Sequence, residues 1–140
     1  MTSLSRRDFI CASAALTALA TVPAVAAAGI KTLANGKTEI DLASNSALNS
    51  VGGVVELSIN KYGKVAVVRT SKSAKGFAVL NLSCPHAGVI VNKVSSGWAC
   101  SAPRGHGSEF GLNGALKVGP ATSPLRPIKF TATKKAVTIA

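Results

Sequence analysis

The sequence predicts a single all-β domain of short antiparallel strands behind an N-terminal export segment. Three observations predict it. From Lys37 onward, apolar residues alternate with polar ones or run in brief β-branched stretches, the period-two pattern of strands. Turn residues, chiefly Asn, Gly and Pro, break these stretches at short intervals. Outside the first 28 residues no helical periodicity lasts beyond two turns, so nothing supplies the crossovers of a parallel sheet. A chain of 140 residues has room for one such domain.

Residues 3–29 read SLSRRDFICASAALTALATVPAVAAAG. A polar start, the pair Arg6 and Arg7, an Ala-rich apolar run and the small-residue pattern AVAAA follow in the order of a signal peptide, assigned to residues 1–28. SRRDFI resembles the twin-arginine export motif, which a receptor reads as an address. The apolar run, about 20 residues, is long enough to stay as an anchor, but alanine is weakly hydrophobic and removal is the expectation. Cys11 comes too soon after the arginines to be a lipid-attachment site. Twin-arginine export carries folded cargo and serves proteins whose cofactor is inserted before crossing, so the reading leans towards a cofactor protein.

Residues 29–36, GIKTLANG, are expected as a linker, and 37–140 as the domain. KTEIDLA, VVELSIN, KVAVVRT and GFAVLNL read as four strands, with NKYGK as the hairpin turn between the second and third. VIVNKV and GWAC flank a turn at Ser95, Ser96 and Gly97. SEFGLNGALKVG folds back at Asn113-Gly114, and IKFTATKKAVTIA closes the domain as a strand pair. Aromatic residues are scarce, which leaves Val, Leu, Ile and Ala to build the core. A metal centre tying two loops together would add usefully to the stability of so small a domain.

With Arg6, Arg7 and Asp8 removed, residues 29–140 carry a net charge of about +10. Such an excess can steer the domain to an acidic partner or an anionic lipid surface, and it also keeps a soluble domain dispersed. No basic run exceeds the pair Lys134-Lys135. Without a basic patch on a recognisable module, nucleic-acid binding is set aside.

The same residues hold two cysteines, Cys84 and Cys100, and two histidines, His86 and His106, with no spare copy of either type. They arrive as pairs in two Gly/Pro-containing loops, SCPHAG and WACSAPRGHGSEF. Thiolate and imidazole are ligands that zinc and iron accept. Three readings stand beside one another. A Cys84–Cys100 disulfide, ordinary in an exported protein, uses two of the four residues. A mononuclear zinc site uses all four.

The third reading comes from likeness. SCPHAGVIV, then GWACSAPRGHGSEF, then LNGALKVGPATSPLRPIKFTATKKAVTI resembles the Rieske [2Fe-2S] family, whose first loop is Cys-x-His and whose second is Cys-x-x-His-Gly-Ser. The likeness covers residues 76–140. It implies a small antiparallel β-sandwich or barrel with a two-loop cluster-binding subdomain. It also implies that Cys84 and Cys100 hold one iron as thiolates and that His86 and His106 hold the other as imidazoles. Neutral imidazoles in place of two thiolates raise the cluster potential, and their protons couple electron transfer to pH. Ser108 would donate a hydrogen bond to a bridging sulfide, and Gly119, Pro120 and Ala121 would form the loop that covers the cluster.

Three departures from the family pattern bear on the site. Five residues, not two, separate Cys100 from His106; Ala102, Pro103 and Gly105 are the residues expected to let the extra three bulge outward. Val89 stands where members related to quinol-oxidising complexes often carry a disulfide cysteine. Phe110 stands where high-potential members often carry a tyrosine whose hydroxyl bonds a ligand sulfur, so a lower potential is expected.

The resulting expectation is an electron-transfer protein in the periplasm or on the outer face of the cytoplasmic membrane. Its partner would be a quinol-oxidising complex, a c-type cytochrome or the large subunit of a molybdenum oxidase. Catalysis by the chain itself is not expected: both histidines are committed, and Asp41 is the only aspartate after residue 28. The rival from another class is a cluster-less or zinc-binding β-domain acting as a structural or binding module.

Overall fold

The computed structural model describes residues 29–101 and 105–140. The readings of residues 1–28, with Arg6, Arg7 and Cys11, and of Ala102 and Pro103 lie outside them. Eleven strands form three antiparallel sheets. In chain order they are β1 (Ile30–Thr32), β2 (Thr38–Asp41), β3 (Val54–Ile59), β4 (Gly63–Arg69), β5 (Phe77–Asn81), β6 (Asn92–Val94), β7 (Gly97–Ala99), β8 (Glu109–Gly111), β9 (Leu116–Val118), β10 (Phe130–Ala132) and β11 (Ala136–Ile139). The sheets are ordered β1-β2-β11-β10, β3-β4-β5 and β6-β7-β8-β9. Among the described residues a 3₁₀ turn, Ser46–Asn49, precedes β3.

The β3-β4-β5 sheet is the middle layer, which explains the pattern of KVAVVRT. Successive side chains of a strand point to opposite faces, and here both faces are covered. Val65 and Val67 of β4, with Phe77 and Val79 of β5, pack against Ile40, Val137 and Ile139 of the first sheet and against Ile128, which precedes β10. The intervening Ala66, Val68 and Leu80 pack against Trp98, Phe110 and Leu125 on the other side. Four consecutive residues of β4 are therefore buried, and the strand loses the polar alternation usual in antiparallel sheets.

Every expected strand is present. The NKYGK turn joins β3 to β4, with the Tyr62 N–H donating to the Ile59 carbonyl at 3.0 Å. The Asn113-Gly114 turn joins β8 to β9, with Gly114 at φ +89°. One expectation is corrected in part. The stretch 29–36, read as a linker, contributes β1, which pairs with β2 in the register Ile30↔Ile40, Lys31↔Glu39, Thr32↔Thr38. Three residues are too few to show a period, and a Lys31–Glu39 ion pair at 3.0 Å across the two strands is visible only once the register is known.

The strand directions define two ends of the molecule. At one end lie the β3–β4 turn, the C-terminus of β5 and the last residue: the Asn81 side chain donates to the Tyr62 carbonyl at 3.1 Å, and the Tyr62 hydroxyl to the Ala140 carbonyl at 2.7 Å. The loop 82–91 leaves from this end, where the Leu82 N–H donates to the Lys64 carbonyl. The other end holds Arg69 at the close of β4, the 50–53 turn paired with it, and the β10–β11 turn.

Candidate metal centre

Two loops carry the four candidate ligands, and their backbones are closed in the same way. In the first, the Cys84 N–H donates to the Val89 carbonyl and the Gly88 N–H donates to the Cys84 carbonyl, both at 2.8 Å. In the second, the Cys100 N–H donates to the Ser108 carbonyl and the Gly107 N–H donates to the Cys100 carbonyl, again at 2.8 Å. Each closing glycine has positive φ, +75° at Gly88 and +87° at Gly107, a conformation that glycine adopts without strain. The loops differ in length by three residues: the closing carbonyl lies five residues after Cys84 and eight after Cys100.

The extra length is taken up locally. The Gly105 N–H donates to the Ser101 carbonyl at 3.0 Å, which brings the two ends of the inserted stretch together and leaves residues 105–108 in the same relation to Cys100 that 86–89 have to Cys84. A side-chain carbon on Gly105 would lie 2.3 Å from the carbonyl oxygens of both Cys100 and Ser101. The glycine is needed there for close backbone approach, not for positive φ.

The closures put the side chains into two pairs. Cys84 and Cys100 are buried in the apolar cluster formed by Trp98, Phe110, Leu82, Val91 and Leu125. Both are free thiols, near enough for Cys84 to act on the ionisation of Cys100. Burial pushes the Cys100 thiol above its ordinary pKa. The backbone N–H of His106 opposes this, while the neighbouring Cys84 adds to it. His86 and His106 are both exposed, their rings meeting edge to face with centroids 4.7 Å apart. Thiols thus face the core and imidazoles face solvent. Among the described residues no three of His, Cys, Asp and Glu are gathered as around one ion. The donors form two pairs.

Ser108 is fully buried, and its hydroxyl oxygen accepts the Ala121 N–H at 2.9 Å. This ties the second loop to the 119–121 turn and leaves the hydroxyl proton free to be donated. Gly119 and Pro120 are exposed while Ala121 is buried in the cysteine cluster. Val89, half-buried beside that cluster, closes the first loop through its carbonyl, a backbone role that does not depend on which side chain it carries. Phe110 is 1% exposed and packs in the cluster that contains both thiols. Trp98, opposite Phe110 in the β7–β8 register, is fixed by its indole N–H donating to the Leu112 carbonyl at 3.1 Å. The sequence reading overlooked the closing role of Gly88, Val89 and Gly107 and the Ala121–Ser108 bond. The glycine that follows each Cys/His pair was the available signal.

No protein-family model matches this sequence, and no curated protein matches it. Among solved structures the chain is similar to the cyanobacterial plasma membrane Rieske protein PetC3 from Synechocystis PCC 6803, at 24% identity and TM-score 0.55, over 71% of this chain and 94% of that one. The domain has the Rieske fold.

Two predictions follow from this geometry. Gly105→Ala forces the second loop open at the Ser101–Gly105 closure; the urea midpoint of the purified variant should fall, while far-UV circular dichroism stays that of the parent. In metal-free protein, Cys100 remains protonated above the pH at which the unfolded chain ionises it. Stability should therefore fall as pH rises from the ordinary thiol pKa towards the raised one. Urea midpoints across alkaline pH measure this, and Cys100→Ser should flatten the slope.

Proposed function

We propose that the protein is a one-electron carrier, or the electron-transfer subunit of a larger oxidoreductase, built around a Rieske-type [2Fe-2S] cluster. The observation that carries the reading is the pairing itself: two free thiols buried in one apolar cluster and two exposed imidazoles with ring centroids 4.7 Å apart, presented by two loops with the same backbone closure. A donor set split two and two suits a centre of two metal ions with a pair of ligands each. It suits poorly a mononuclear tetrahedral zinc, around which all four must converge.

Cys84 and Cys100 would hold one iron and His86 and His106 the other. When bound, such a cluster supplies reversible one-electron transfer at a potential above that of all-cysteine clusters. The chain's own residues then do three things. Trp98, Phe110, Leu82, Val91 and Leu125 keep water from the thiolate side. The N–H of His106 stabilises anionic sulfur at Cys100, and Ser108, held in place by Ala121, has a proton to donate towards the centre. His86 and His106 sit at the surface, where they would face a redox partner. Ile90, 40% exposed and bridged to Ser83 at the base of the first loop, supplies an uncharged contact beside them for a redox partner.

Export by the twin-arginine route, with the domain outside the cytoplasmic membrane, is the placement that the N-terminal motif supports. A c-type cytochrome, a quinol-oxidising complex and a molybdenum oxidase large subunit are the partners it fits there.

The test is protein folded in the cytoplasm and assayed for iron, acid-labile sulfide and zinc, with an electron paramagnetic resonance spectrum after dithionite. Two irons, two sulfides and the anisotropic Rieske signal are expected; stoichiometric zinc, or no metal with a Cys84–Cys100 disulfide, would sink the reading in favour of a structural module. His106→Ala should abolish that signal. Phe110→Tyr places a donor among the cysteine side chains, and a hydrogen bond of about 1 kcal/mol corresponds to a rise of about 40 mV in the midpoint of a one-electron couple. An intact cluster with no rise would count against the role given to Phe110.

A further inference from the structure

The end of the molecule remote from the cysteine loops is basic. A cleft of about 280 Å³ there is lined by Arg69, Lys72 and Lys134, with Leu42 and Asn49. A second cleft, of about 380 Å³, shares Lys134, Leu42 and Asn49 and adds Lys135 and Asp41. Four cations thus face one carboxylate, which is itself engaged by the Ser44 hydroxyl and N–H at 2.6 and 3.0 Å. Elsewhere the carboxylates of Glu39 and Glu56 are paired with Lys31 and Lys64.

Arg69 is held in place: its guanidinium lies 4.4 Å over the Phe77 ring and donates to the Lys72 carbonyl at 3.1 Å, while its Nε is buried with no hydrogen-bond partner. Beside it, the 50–53 turn is bonded to the Arg69 backbone in both directions and carries Val51, 55% exposed.

The chain also arrives here. Gly29, the first described residue, accepts the Asp41 N–H at 2.8 Å and abuts Ser44. The residue that follows the Ala-rich apolar sequence therefore lies against Asp41, which lines the same cleft as Lys134 and Lys135.

We propose that this basic end docks on an anionic lipid headgroup surface, on the side from which the N-terminal apolar sequence leads away, so that the cysteine loops face away from the bilayer. The occupant is a membrane and not an acidic protein because three features coincide: the cations, the exposed valine in the turn beside Arg69, and the point where an apolar segment joins the domain. Each basic residue close to an anionic leaflet strengthens partitioning by about fivefold, and the effect fades beyond a Debye length. None of this depends on the cluster.

The test is co-flotation of the full chain with vesicles of phosphatidylcholine alone or with phosphatidylglycerol added. Partitioning should be at least about tenfold stronger on the anionic vesicles at low salt, and equal on the two in roughly 0.5 M salt, where screening is nearly complete. Any contribution of the apolar segment alone appears on both lipids. Lys72→Glu/Lys134→Glu/Lys135→Glu should remove the anionic preference, and the milder triple change to Gln should reduce it, with circular dichroism unchanged. The charge-matched control Lys61→Glu/Lys93→Glu/Lys117→Glu should keep it. Equal partitioning on both lipids at low salt overturns the proposal, and so does a control that loses as much as the cleft variant, because net charge alone would then account for binding.

Discussion

Both loops depend on one constraint: the backbone amide and carbonyl of each cysteine must be satisfied while its sulfur is buried. An unpaired buried amide or carbonyl costs about 1–3 kcal/mol, and four such groups would exceed what a small domain can tolerate. Cys84 meets the constraint through Val89 and Gly88, and Cys100 through Ser108 and Gly107. These bonds turn each chain back immediately after its cysteine. The turn in turn carries the histidine to the surface, so the separation of buried thiols from exposed imidazoles follows from the closure.

The layered architecture supplies the other half of that arrangement. Because the β3-β4-β5 sheet is covered on both faces, its two apolar clusters are separate, and only one of them contains cysteine. The sheet of β6 to β9 exists to complete that second cluster: Trp98 and Phe110 lie opposite one another on β7 and β8 and leave the two sulfurs backed by ring and aliphatic carbon. Ser108, Ala121 and Leu125 then bring the segment after β9 onto the same cluster. Removing any of these contacts loosens the support of the sulfurs before it disturbs the first sheet, which is built around Ile40, Val137 and Ile139.

Much of this was legible in the sequence. The strands came from period and turn residues, and the four candidate ligands came from scarcity, since a chain with so few Cys and His places them in two loops for a reason. What was not legible has physical causes. β1 is three residues whose stability comes from pairing with β2, a partner no local pattern reveals. The gap of five between Cys100 and His106 departs from the family spacing, but spacing along the chain stands in for distance only when the intervening backbone is regular. Here one bond, Gly105 to Ser101, cancels three residues. The role of Val89 was hidden because it resides in a carbonyl. Side-chain comparison at that position registers only a missing cysteine.

The distribution of charge follows the same division of the molecule. At the end that carries the cysteine loops, Arg126 lines a cleft with Cys84, Pro85 and Gly88. Arg69, Lys72, Lys134 and Lys135 line two adjoining clefts at the far end, with the length of β4 between them and the turn that supports the first loop. Over that distance, roughly 20 Å for seven residues of strand, exposed charges are largely screened at physiological salt. The charged groups of the two ends therefore act independently of one another at physiological salt.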